Sequence, residues 1–255
     1  MEYTHFDPRF PTGERLSMPK GQYIAGHAIG ILHLEVWYPL LPGNVVNATT
    51  YPFPVRYKLL AGGTQDRIHG ADPSIADLVI NAGRELEQEG VRAIAGACGY
   101  LGNYQKQVAA ALNVPVFLSS LLQLSMIHQA LKPDRRIGIL CADGPALTSS
   151  LLENCGVSSE IPIAVLGLED RPGFSSITYS KGEFNSEQIQ QEVVEAALQL
   201  VDEYHDLGAI LLECSDMPPF AWAVQAATKL PVFDFITMIN WMYQGVVQRP
   251  YHGMI

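Results

Sequence analysis

The chain has 255 residues, 48% of them hydrophobic and 16% charged, with a net charge of −10 and a pI near 5.1. That apolar share supplies a packed core and excludes a disordered chain. The acidic balance argues against a nucleic-acid or anionic-membrane surface, which would need clustered Lys and Arg. An anionic small molecule stays allowed, since helix N-termini hold anions without net positive charge.

The opening residues carry neither the basic stretch nor the apolar run of a secretory signal. A cytoplasmic setting is therefore expected, with Cys98, Cys141, Cys155 and Cys214 reduced. No cysteine pair has the close spacing of a zinc site, so no metal is expected. Residues 1–24 read as an irregular arm. Residues 24–41 are the most apolar window, but His27, His33, Glu35 and Pro39 interrupt it. It reads as a buried strand and its exit loop, not a membrane span. Glu35 follows that strand and would point to a cleft at its end, where it could polarise a substrate group. A Pro/Gly/Asn-rich loop follows over residues 39–54, and such loops often carry function. Within it Asn47, with Thr49 and Thr50, is either a carboxylate ligand or an ordinary turn residue.

Asp72 and Pro73 then predict a helix start. Ile75, Leu78, Val79, Ala82 and Leu86 trace its apolar face, and Gly90 closes it. A strand ends at Cys98, a helix carries Tyr104, Val108 and Leu112 on one face, and Val-Pro-Val-Phe opens another strand. Lys132-Pro133-Asp134 marks a crossing, after which the pattern recurs. Ile29-Gly30-Ile31-Leu32 reappears as Ile137-Gly138-Ile139-Leu140. Asp143 follows this strand, where it could meet a substrate or cap a helix over residues 145–153. Ser186 predicts the cap of the next helix, and residues 235–247 read as a final one. Strands alternating with helices imply parallel sheets.

The recurrence is strongest around two cysteines. Residues 91–117 and 207–233 align without a gap, and nine of the 27 positions are identical, Cys98 with Cys214 among them. An ungapped repeat of this length implies two copies of one unit. The expected fold is α/β: two pseudo-symmetric half-domains with parallel sheets, residues 25–131 and 132–235, and a C-terminal helix and tail over 236–255. The site is expected in the cleft between the halves. Ligands of open α/β sheets bind beyond the carboxyl ends of the strands, where both thiols lie. A helix N-terminus beside each thiol would lower its pKa. Cys141 and Cys155 have no such pairing and are expected to be dispensable.

These features resemble the aspartate/glutamate/hydantoin racemase superfamily, over about residues 25–247. Cys214-Ser215-Asp216-Met217-Pro218 is similar to the Cys-Thr-Glu-Leu-Pro of aspartate racemases. Cys98-Gly99-Tyr100 departs from the Cys-Asn-Thr of the first racemase motif. With Gln105 it looks closer to the branch that holds algal dimethylsulfoniopropionate lyases. The superfamily also includes arylmalonate decarboxylase and maleate isomerase. The resemblance implies no cofactor, a small carboxylate substrate, and Cys98 and Cys214 as catalytic acid and base. It makes Ser215 a carboxylate ligand and Asp216 a supporting acid, with Gly99 and Tyr100 as substrate contacts. The partners expected are the substrate and further copies of the chain, as a homodimer or higher homo-oligomer. A racemase or isomerase that takes and returns a Cα proton is the first expectation. A lyase acting by β-elimination or decarboxylation is the alternative, and a non-catalytic carboxylate-binding protein comes third.

Overall fold

The computed structural model describes residues 13, 15, 17–249, 251, 253 and 254. Most of the expected N-terminal arm, residues 1–12, 14 and 16, lies outside the described residues. So do residues 250, 252 and 255 of the tail. Residues 17–28 run without a helix or strand.

Two four-stranded sheets follow, every strand pair parallel. The first is ordered β2 (Val55–Leu59), β1 (Ile29–His33), β3 (Ala93–Gly96), β4 (Val116–Phe117). The second is ordered β6 (Ile163–Gly167), β5 (Arg136–Cys141), β7 (Leu207–Leu212), β8 (Val232–Phe233). The repeat appears in the register. Ile94 faces Val116 and Ala95 faces Phe117; 116 residues later Ile210 faces Val232 and Leu211 faces Phe233. The central strands are apolar runs because both of their faces are covered, as parallel sheets require.

The helices are α1 (Gln65–His69), α2 (Ile75–Gln88), α3 (Gln105–Ala111), α4 (Leu124–Ala130), α5 (Ser149–Asn154), α6 (Ser175–Thr178), α7 (Ser186–Glu203), α8 (Ala221–Thr228) and α9 (Phe235–Val246). α2 buries Ile75, Val79, Ala82 and Leu86 as its spacing predicts, with Leu78 at the margin. Its helical residues begin later than expected: Asp72 caps a turn, accepting from the Ser74 backbone N–H at 2.9 Å, and Pro73 precedes the helix. α7 starts at Ser186, but the cap is Asn185, whose side chain accepts from the N–H groups of Glu187 and Gln188. α5 is shorter than expected. Thr148 caps it, and residues 145–147 form a turn held by Asp143 Oδ1 accepting from Ala146 N.

α9 returns to the first sheet. Phe235, Met238, Ile239 and Met242 pack with Ile29, Ile31, Ala93 and Ala95, and Phe53 stacks on Tyr243 with ring centroids 3.6 Å apart. Asp234 and Thr237 form a reciprocal capping box that fixes where the helix begins. Trp222 and Trp241 are exposed, on α8 and α9 respectively. Among the described residues no helix is long and apolar enough to cross a membrane.

Candidate active site

The carboxyl ends of β3 and β7 meet at one cavity. Cys98 and Cys214 both line it, with Gly99, Tyr100, Ser215 and Asp216. Six residues singled out in the sequence are thus brought together. Glu213, Tyr38, Gln65, His69, Ala142, Ile177 and Thr178 line it as well. The cavity is small, at about 30 Å³. One water needs roughly 10–15 Å³ by the same measure, so a carboxylate of several heavy atoms enters only if the walls part.

The second thiol is backed by a carboxylate. Cys214 Sγ donates to Asp216 Oδ2 at 3.7 Å. Tyr38 OH donates to the same oxygen at 3.0 Å, and Asn44 Nδ2 donates to Oδ1 at 2.5 Å. Burial raises the Asp216 pKa, and these donors pull it back. The first thiol is served by backbone instead. The Tyr100 and Leu101 N–H groups favour its thiolate, at the start of a 3-10 turn over Gly99–Tyr104.

The helix-terminus effect does not win. Burial, Glu213 and Asp216 push Cys98 up, and burial, Asp216 and Glu213 push Cys214 well up. Full burial, which disfavours the charged form, and two adjacent carboxyl groups outweigh the helix N-terminus that the sequence places beside each thiol. Cys141 and Cys155 are buried too, and burial pushes Cys155 up to about 12.

Other residues hold the site's shape. Ser215 Oγ donates to the Ala97 carbonyl at 3.0 Å, tying the two strand ends together. Tyr100 OH donates to the Asp143 carbonyl at 2.7 Å. The Asp143 side chain turns to His69 Nδ1 at 3.1 Å and lies outside the cavity lining. Glu35 is corrected: it is exposed, and Oε1 accepts from Gly62 N at 3.1 Å. Two residues past the end of β1, its carboxyl is turned to the Gly62 backbone and away from the cavity. Asn47 is corrected as well. Its Oδ1 accepts from Thr49 N at 2.9 Å, capping the short turn over Ala48–Thr50. Three residues earlier, Asn44 makes the contact to Asp216.

Two segments close the cavity from opposite sheets. Residues 34–38 leave β1 and bring Leu34, Val36 and Tyr38. α6 brings Ile177 and Thr178. Gly182 N donates to the Trp37 carbonyl at 2.9 Å, and Gln65 Nε2 donates to the Ile177 carbonyl at 3.4 Å, across the opening. Gly182 sits at φ +85°, with the Trp37 ring about 3.0 Å from where a Cβ would stand. Beneath α6, the buried Glu192 accepts from the Gly173 and Phe174 N–H groups at 2.8 Å each.

Paired parallel sheets with a thiol just beyond the third strand of each, on one small cavity, define a two-thiol α/β architecture. The chain belongs to the Asp/Glu/hydantoin racemase family, whose pattern it matches over residues 58–242. A dimethylsulfoniopropionate lyase from Durusdinium sp. clade D is 32% identical over 251 residues, covering 94% of this chain and 83% of that protein. Dimethylsulfoniopropionate lyase 3 of Emiliania huxleyi (strain CCMP1516) is 29% identical over 242 residues, covering 91% of this chain and 63% of that protein. Among solved structures, Picrophilus torridus aspartate racemase superposes with a TM-score of 0.59 at 14% identity, covering 89% of this chain and 96% of that one. Unliganded arylmalonate decarboxylase gives 0.54 at 15% identity, covering 86% and 92%. At these identities the likeness is one of fold.

Proposed function

We propose that the chain is a lyase that eliminates a β-leaving group from a small carboxylate, dimethylsulfoniopropionate being the substrate that its relatives' names supply. The observation that carries this reading is the asymmetry of the two thiols. Only Cys214 has a carboxylate to take its proton, and that carboxylate is held by Tyr38 and Asn44. Elimination needs one base. Proton transfer from Cys214 to Asp216 leaves a thiolate that removes the Cα proton. The electron pair forms the Cα–Cβ double bond, and the Cβ–sulfur bond breaks to release neutral dimethyl sulfide and acrylate. A positioned base of this kind contributes about 10²–10⁴-fold. The cavity lining also suits a cationic leaving group. Among the described residues that line it there is no Lys or Arg, while Tyr38, Tyr100 and Asp216 are present. The proposed setting is cytoplasmic, where the thiols stay reduced.

Racemisation is the second reading, favoured by the two thiols at equivalent strand ends on one cavity. Turnover in D₂O followed by NMR separates the two. Acrylate and dimethyl sulfide released from dimethylsulfoniopropionate support the lyase. Deuterium entering Cα of aspartate or glutamate, with inversion and no alkene, would replace it with a racemase.

A further inference from the structure

The cavity sets an electrostatic problem. A carboxylate substrate must enter a chamber lined by two thiols, Glu213 and Asp216, with no Lys or Arg among the described residues that line it. Glu213 is the unexplained member. Its side chain is fully buried. Oε2 accepts from the Ala142 N–H at 3.4 Å, and Oε1 has no hydrogen-bond partner. The equivalent position of the first repeat is Ala97, so this strand end does not need a carboxyl group in order to fold. Gly99 makes room for it: a Cβ there would overlap the Glu213 carboxyl. A buried carboxyl oxygen left without a partner is costly unless something fills the gap.

We propose that Glu213 is a neutral carboxylic acid in the resting protein and that its free oxygen carries a proton donated, as a hydrogen bond, to the carboxylate of the substrate. The groups around it agree. Tyr100 from the turn after β3, Ala142 and Asp143 from the end of β5, and Asp216 beyond β7 all bear on it, as do Cys98, Cys141, Cys155 and Cys214. The two ionisable carboxyls among them, Asp143 and Asp216, oppose a third negative charge, and burial opposes it more. Together they push the Glu213 pKa up to about 8. A neutral acid can meet an anion where a carboxylate cannot. As the Cα proton leaves, charge grows on the substrate's carboxylate oxygens, and a fixed donor there strengthens with it.

The inference rests on reading the cleft as a carboxylate site, and not on which leaving group departs. The test is propionate binding by calorimetry in the full chain from about pH 6 to 9, in native protein, Glu213→Gln and Glu213→Ala. Gln keeps the shape and the donor but cannot titrate. Native affinity should fall about tenfold per pH unit above about 8, and Glu213→Gln should stay flat over that range. Glu213→Ala should bind roughly ten- to a hundredfold more weakly at pH 7, having lost a donor to a charged group. An alkaline loss unchanged in Glu213→Gln overturns the proposal, as does native-like binding by Glu213→Ala or no binding by native protein at any pH. Dimethylsulfoniopropionate turnover is measured alongside. Its absence with the propionate pattern intact removes the lyase reading and leaves the role of Glu213 standing.

Discussion

At the scale of single residues, the two thiols have unequal surroundings and should respond unequally to removal. Under the elimination reading, Cys214→Ala loses the base and should lower turnover at least about a hundredfold. Cys98→Ala should keep measurable alkene release. Equal and complete loss in both, by NMR product assay, would favour two-base chemistry instead. Tyr38→Phe removes one of the donors that stabilise the Asp216 carboxylate. The Asp216 pKa then rises, which makes it a better acceptor of the Cys214 proton, so maleimide should alkylate Cys214 faster in Tyr38→Phe than in native protein, and an unchanged rate would show that Tyr38 does not tune this carboxylate. Glu213 also leaves a trace on stability. Its pKa is raised in the folded state to about 8, so between the ordinary carboxyl range and that value the unfolded chain releases a proton that the native protein retains. Stability from this group is fully present at low pH and falls as pH rises, by roughly 1.4 kcal/mol per unit through that window. Denaturant midpoints of native protein minus those of Glu213→Gln should show this slope. A flat difference between pH 5 and about 8 would contradict it.

Among the elements, the closing segments decide access. The cavity holds about 30 Å³, less than a carboxylate of several heavy atoms fills, so 34–38 and α6 are expected to separate during turnover. Their joint includes Gly182, in a left-handed conformation against the Trp37 ring. Ala at 182 would be strained there and would press on that ring. Gly182→Ala should therefore weaken closure and speed alkylation of Cys98 and Cys214 by maleimide, read peptide by peptide by mass spectrometry. Unchanged rates at both thiols would show that this joint does not gate the cavity. Glu192 works on the same device from beneath, since it anchors the approach to α6 through the Gly173 and Phe174 N–H groups.

For the whole molecule, the central strands were legible because burial on both faces writes them as continuous apolar runs. Repetition made the thiols legible. The edge strand β2 was missed because Val-Arg-Tyr-Lys-Leu is only half buried and carries two cations. Tyr38 was hidden because its partner, Asp216, is 178 residues away and nothing local marks the contact. Glu213 was not legible because its counterpart in the first repeat is Ala97, so identity between the repeats marks Cys214 and not its neighbour. Glu35 and Asn47 were chosen for chemistry at about the right place, but backbone geometry turns one outward and uses the other as a cap.

The packing of α9 has a consequence in time. The face of the first sheet that carries Ile29 and Ile31 is covered by Phe235, Met238, Ile239 and Met242, which a ribosome makes roughly 200 residues later, at about 5–20 residues per second. For that interval the older half of the nascent chain holds an open apolar sheet face. Completion of the first half thus waits for the last helix, and a chaperone would find its binding surface on the earliest strands.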